Sequence, residues 1–270
     1  MINIVNKEIK ALKLMKKAPK ELFYIGDLSL LDRKIVSIVG TRRPSSYTKD
    51  WTFKLARALA ARGVVVASGA AMGVDALAHK GAGAKNTIAV MANGLDIKYP
   101  AVNKGLIEEI EKNGLTLSFF KEGFRATKWS FVSRNELVVA LGDSLIVTEA
   151  DLNSGSLRSV EYALKMSKPI FVLAHRASES LGTNTLLKEG RAEAIYDIEE
   201  FANKYGLVKA QKDEFTTFLE NSPTLEEAIS KFGERVYEAE LDGLIEIENG
   251  VIKPLFWYLF IVLKLDKMFI

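Results

Sequence analysis

The chain has no cysteine among its 270 residues, which removes disulfides, thiolate metal sites and a cysteine nucleophile from consideration. Histidine is scarce too: His79 and His175 are the only two, too few for an imidazole-built metal centre. No metal is expected. The motifs of several large enzyme classes are also missing. Gly40-Thr41-Arg42 lacks the second glycine of a GxGxxG dinucleotide loop, and the turn Ser68–Gly73 offers only G-x-x-x-G. Neither a GxxxxGKS/T phosphate loop nor a GxSxG nucleophile elbow occurs. No cofactor and no catalytic residue is assigned, since no motif points to an enzyme's chemistry. Strong charge of one sign is absent: the net value is +3, so any basic footprint for nucleic acid must be local. Lys7, Glu8 and Lys10 interrupt the apolar pattern of the N-terminus, which does not read as a secretory signal. A cytoplasmic protein without membrane association is expected.

What is present describes an ordinary globular chain, 48% hydrophobic and 26% charged, long enough for one substantial core and a small second domain. From Lys34 onward, short apolar runs alternate with helical patterns. The runs are Ile35–Val39, Val64–Ala67, Thr87–Met91, Leu115–Ser118, Leu145–Thr148 and Ile170–Leu173. The helical stretches are Lys49–Arg62, Gly73–Gly83, Asn103–Asn113, Ser133–Leu141 and Ser156–Met166. Strands apolar on both faces, separated by helices, predict an α/β fold: a doubly wound, mainly parallel Rossmann-like sheet.

That domain is expected over residues 34–207. Residues 1–33 read as an N-terminal helical arm, a short lysine-bearing helix followed by an irregular segment broken at Pro19 and Gly26. Residues 208–270 read as a small winged-helix-like C-terminal domain. Its helices are Leu225–Phe232 and Gly233–Leu241, and a hairpin turns at Asn249-Gly250. The acidic residues there (Glu238, Glu240, Asp242, Glu246 and Glu248) favour a protein contact over phosphate. An apolar tail, 255–270, has an uninterrupted run too short for a transmembrane helix.

Ligands of such sheets gather beyond the carboxyl ends of the strands. After the first strand, Gly40-Thr41-Arg42-Arg43 places two arginines ahead of a helix capped by Ser46 or Thr48, where backbone N–H groups and the helix dipole favour an anion. This reads as a phosphate grip, with a solvated basic turn as the structural alternative. The glycines of Ser68–Asp75 either admit a ligand or let strand and helix pack closely. Asp75 and His79, four apart on one helix, read as a local pair or cap rather than a catalytic pair. Glu149 is either a base or a holder of neighbouring N–H groups. In Asn153-Ser154-Gly155-Ser156 a serine can cap the next helix while Gly155 frees N–H groups for an anion. Between these turns, Lys121, Arg125, Lys128 and Arg134 interleave with Phe119, Phe120, Phe124, Trp129 and Phe131. Cations on phosphates beside rings that stack bases hold single strands without reading sequence. The alternative is a loop whose aromatics plug the core edge.

Several ordered motifs carry a resemblance. They are Ile38-Val39-Gly40-Thr41-Arg42, Ser68-Gly69 to Gly73-Val74-Asp75 with Ala78-His79, and Gly94-Leu95-Asp96 with Tyr99-Pro100. Phe131 with Arg134-Asn135, Glu149-Ala150, Ser154-Gly155-Ser156-Leu157, and Gly182-Thr183-Asn184 with Leu187 and Gly190 continue the set. Over residues 34–200 the chain resembles the DNA-processing protein A (DprA, also Smf) family of bacterial natural transformation, its short epsilon-proteobacterial members in particular. The resemblance implies a Rossmann-like domain that binds single-stranded DNA regardless of sequence, dimerises, protects incoming strands and helps load the RecA recombinase. It implies a DNA pocket at Gly40, Arg42, Lys128, Phe131 and the turn Asn153–Ser156. Joined to the strand-end reading, the candidate DNA-binding set is Gly40, Thr41, Arg42, Arg43, Ser68, Gly69, Lys121, Lys128, Phe131, Arg134, Asn153, Ser154, Gly155 and Ser156.

There are departures from the family pattern. Phe-Pro-x-Arg-Asn-Arg becomes Phe131-Val132-Ser133-Arg134-Asn135-Glu136, so Glu136 is not assigned to DNA. The Ser-Glu after the fourth strand is Ser118-Phe119. The alternative function is a nucleotide-binding or nucleotide-hydrolysing enzyme of the related phosphoribohydrolase-like group. The Pro-Gly-Gly-x-Gly-Thr-x-x-Glu turn of those enzymes is replaced here by Asn153–Glu161, without the double glycine. A two-fold homodimer is expected through Ser156–Met166, Ile170–Leu173 and Leu186–Ile198, unless their apolar residues fill the monomer's own core.

Overall fold

In this computed structural model the described residues are 1–207, 214–219, 221–241 and 245–254. The chain divides into two units, Met1–Val208 and Lys209–Ile270. The strands of the first unit are β1 (Asn3–Ile4), β2 (Phe23–Gly26), β3 (Ile35–Val39), β4 (Val65–Ser68), β5 (Thr87–Val90), β6 (Leu115–Ser118), β7 (Ser144–Val147), β8 (Ile170–Leu173) and β9 (Glu193–Ile195). Its helices are α1 (Ser46–Ala61), α2 (Val74–Ala82), α3 (Lys104–Asn113), α4 (Lys128–Leu141), α5 (Leu157–Lys165), α6 (Leu181–Lys188) and α7 (Ile198–Asn203).

All nine strands join one sheet in the order β1-β2-β6-β5-β4-β3-β7-β8-β9. Pairing is parallel from β6 through β9. The five residues of β3 are all buried because helices cover both faces of the sheet. Val36 and Ile38 pack with Leu55, Leu59, Val74 and Phe201 of α1, α2 and α7. Ile35 and Val39 point the other way, toward Leu137, Val160 and Leu186 of α4, α5 and α6. Each fully buried Leu or Ile contributes about 1.5–3 kcal/mol. Val138, Val139, Ala140 and Leu141 are all buried, so α4 is anchored in the core at its C-terminal end, as a helix apolar all round must be.

The winding reverses at β3. Strands β4, β5 and β6 step away on one side, and β7, β8 and β9 on the other. The carboxyl ends of β3 and β7 therefore border a crevice at the topological switch point, where such sheets take their ligands. The Thr41 N–H donates to the Glu149 carbonyl across it at 2.9 Å.

The chain ahead of β3 is not a helical arm. Lys10–Leu14 forms one turn of 3-10 helix, and Phe23–Gly26 pairs antiparallel with β6 as part of the sheet. Phe23 and Ile25 face α3 while Tyr24 faces the opposite core, an alternation too short to register as periodicity. Helix α4 begins at Lys128, not Ser133, because Thr127 and Ser130 form a capping box. Helix α1 is capped by Ser45, whose hydroxyl accepts the Thr48 N–H at 3.2 Å.

In the second unit, helices α8 (Glu214–Leu219), α9 (Leu225–Phe232) and α10 (Arg235–Leu241) accompany the hairpin β10 (Ile245–Glu248) and β11 (Val251–Pro254). Asn249 and Gly250, with φ of 53° and 75°, make the expected tight turn. Asp242, Gly243-Leu244 and the tail 255–270 lie outside the described residues. Among the described residues, no helix is long and apolar enough to cross a membrane.

Candidate nucleic-acid interface

The crevice at the switch point is a cavity of about 420 Å³. Its walls bring together Gly40 and Arg42 from the turn after β3, Lys128, Phe131 and Arg134 from the first turns of α4, and Ser154, Gly155 and Ser156 ahead of α5. Arg42 stacks on Phe131, its guanidinium carbon 5.3 Å from the ring centroid. Neither Arg42 nor Lys128 has an ion pair or hydrogen bond to another described residue. Their donors are therefore free for an anion. Tyr99 lies beside Phe131, ring centroids 6.0 Å apart and tilted by 47°, and the Arg134 guanidinium carbon is 5.9 Å from the Phe131 centroid.

Two glycines shape this space differently. A Cβ on Gly73, where φ is +78°, would lie 2.5 Å from the Thr41 carbonyl oxygen and 2.6 Å from that of Arg42. Only glycine lets the turn after β4 press against the arginine-bearing turn. A Cβ on Gly155 would meet nothing within 4 Å, so the fold does not require glycine there.

Other predicted residues are committed to the protein. Arg134 is buried, with a relative exposure of 3%. Its guanidinium donates to the carbonyls of Gly69 and Val90, and Nε to Asn135 Oδ1 at 3.1 Å. Burial and the neighbouring Arg42 hold its pKa below the ordinary value, while Asp75 works against them. Arg134 is thus a brace beneath the crevice. Ser68 donates to the Ile38 carbonyl at 2.6 Å. The N–H groups of Gly69 and Ala71 go to Asp75 Oδ2, and that of Ala70 to His79 Nε2. The turn after β4 therefore offers no free amide at these three positions. Asp75 and His79 act as internal caps.

Since His79 Nε2 accepts, Nδ1 carries the proton and donates to Thr87 Oγ1 at 2.5 Å. Burial, aided by the Arg134 charge, lowers the His79 pKa to about 3. Burial raises that of Asp75, and Arg134 opposes the rise. Glu149 accepts from the N–H and hydroxyl of Ser45, each at 3.0 Å, fixing the turn after β3. Thr41 likewise serves the turn, its Oγ1 accepting the Arg43 N–H at 3.2 Å.

Three predicted residues lie away from the crevice. Lys121 is exposed, 3.8 Å from Glu21. Arg43 lines the adjoining cavity instead, and Asn153 is exposed outside the wall. The aromatic stretch divides by role. Phe120 stacks on Phe124 at 4.5 Å with Trp129 edge-on to both, closing the loop on itself. Phe131 alone of the five lines the crevice. The sequence reading missed Ser159, whose buried Oγ in the crevice wall has no hydrogen-bond partner. Its one signal is its place two residues into α5, on the face shared with Ser156.

The fold and crevice define a doubly wound α/β protein whose switch point presents the cations Arg42 and Lys128 beside the Phe131 ring. Residues 5–206 match the family of DNA recombination-mediator protein A. The chain belongs to that family. It is 34% identical to protein Smf of Synechocystis over 198 residues, which cover 70% of this chain and 50% of the relative. It is 36% identical to DNA processing protein DprA of Streptococcus pneumoniae, with coverages of 64% and 62%. The chain thus spans half to five-eighths of these relatives' length. Among solved structures it is similar to Helicobacter pylori DNA processing protein A, studied for its single-stranded DNA binding mode. The TM-score there is 0.74 at 44% identity, over 76% of this chain and 95% of that one. The Streptococcus pneumoniae DprA structure gives a TM-score of 0.68 at 32% identity, over 74% and 72%.

Proposed function

We propose that this protein binds single-stranded DNA in the switch-point crevice and acts as a non-catalytic recombination mediator. The observation that carries the reading is the pairing of free cations with one available ring: Arg42 over Phe131, beside Lys128 and the Ser154–Ser156 turn. Phosphates take the forked and point charges while a base stacks on Phe131, which gives binding without sequence preference. The likeness to the Helicobacter pylori protein supports it. A nucleotide-hydrolysing enzyme would need a base in the wall. Among the described residues lining it, the one carboxylate, Asp75, already caps backbone amides, and there is no histidine. In the same proposal the protein is cytoplasmic, works as a homodimer, shields incoming strands and passes them to RecA.

Salt dependence tests the reading. Arg42→Ala is expected to weaken binding to all single-stranded sequences alike and to flatten the slope of log affinity against log salt by about 0.7. Phe131→Ala is expected to lower affinity with the slope kept, since a ring releases no counterion. An unchanged slope in the first variant, or unchanged affinity in the second, contradicts the assignment.

A further inference from the structure

A second cavity, of about 510 Å³, opens on the far side of Arg42. It is lined by Arg43, Lys49 of α1, Lys80 of α2, Met72 and Val102, with Arg42 shared between the two spaces. A third, much smaller cavity, walled in part by Tyr99, shares Arg42 and Phe131 with the crevice and Arg42 and Met72 with the second cavity. The charge in the second cavity is unbalanced. Among the described residues, Arg43, Lys49 and Lys80 have no carboxylate within 4.0 Å, whereas neighbouring Lys54 pairs with Asp50 at 2.8 Å. Lys49 also sits in the N-terminal part of α1, where the macrodipole disfavours a cation. Helix stability gives no reason for a lysine there; an anionic ligand does. Met72 and Val102 are 46% and 73% exposed, apolar surface that a base would cover.

Resting on the reading of the crevice as a single-strand site, we propose that the bound strand leaves it past the Tyr99–Phe131 pair and continues through this second cavity, its phosphates on Arg43, Lys49 and Lys80 and a base against Met72 and Val102. Lys80 lies six residues along α2 from Val74, about 9 Å at 1.5 Å per residue, so the track adds length as well as charge.

The test uses labelled dT oligomers of 4 and 15 nucleotides, with the full chain and with Lys49→Gln/Lys80→Gln, folding checked by circular dichroism. Both lysines are exposed, so the double variant retains its fold. The 15-mer is expected to lose about 1.4 from its salt slope in the variant, two contacts at about 0.7 each, while the 4-mer keeps its slope. Equal slopes for the 15-mer in both proteins overturn the second track alone. An equal loss for both oligomers overturns it too, since the lysines would then act on the crevice itself. If the unaltered chain binds neither oligomer, the single-strand reading of the crevice fails and this proposal with it.

Discussion

His79 is 1% exposed and stays neutral to a pKa of about 3 because ionising it would strand a charge in the core beside Arg134. The unfolded chain takes up that proton near the ordinary value of 6.5. Between those values the unfolded state binds more protons, so stability falls as pH drops below 6.5, by about 1.4 kcal/mol per unit. Asp75 acts in the opposite sense: its raised pKa means that its charge costs stability at neutral pH, a cost relieved on acidification. His79→Gln keeps an acceptor for Ala70 and a donor for Thr87 but does not titrate. Urea denaturation at pH 7 and pH 5 is expected to show the variant's loss smaller than the unaltered protein's by about 2 kcal/mol. Identical pH dependence would mean that His79 is protonated in the fold. Arg134 belongs to the same network, and its removal acts on the fold first. Arg42, with no hydrogen bond or ion pair to a described residue, acts on the ligand first.

At the scale of elements, the turns after β3 and β4 and the start of α5 differ in how tightly they are built. Gly73→Ala sets a side chain against two carbonyls at positive φ and is expected to cost at least about 1–3 kcal/mol, read as a lower unfolding midpoint. Gly155→Ala meets open space and is expected to leave stability unchanged while weakening DNA binding, because the added methyl stands where the strand's backbone approaches. Unchanged binding in Gly155→Ala would move the strand away from α5. The central parallel strands are legible in the sequence because β3, β6 and β8, buried along their whole length, are short runs of apolar residues broken only by small Ser or Thr, with the observed limits. Strands β2 and β9 are not. They are short segments of four and three residues, β2 between β1 and β6 and β9 at the sheet edge beside β8, whose pairing rather than their own composition makes them strands. The start of α4 escapes for a related reason: its polar first turns depend on the Thr127 cap and on core contacts that begin at Leu137. Within the site, types and turns at Gly40–Arg42 and Ser154–Ser156 are readable from spacing. Whether a given arginine faces ligand or carbonyl is not, and Arg42 and Arg134 look alike until burial separates them.

For the whole molecule, the proposed function has one crevice contacting few nucleotides, and a second copy on the same strand would raise avidity without new contacts when the intervening DNA spans both. Of the residues expected at a two-fold interface, Phe171 lies inside, against Phe201 at 4.8 Å. Leu164 and, next to β9, Tyr196 are 39% and 77% exposed. Sedimentation at micromolar concentration is expected to give a dimer, and affinity for dT oligomers to rise steeply once both crevices are reached. A monomer whose affinity is independent of oligomer length contradicts this.

The most direct measurement of the central claim is one titration of the full chain with labelled dT oligomers, run beside ATP, AMP and NAD as competitors. Salt-sensitive oligomer binding that the mononucleotides and NAD do not displace at comparable concentration is expected. Tight binding of a nucleotide or NAD with no binding of the oligomers would contradict it.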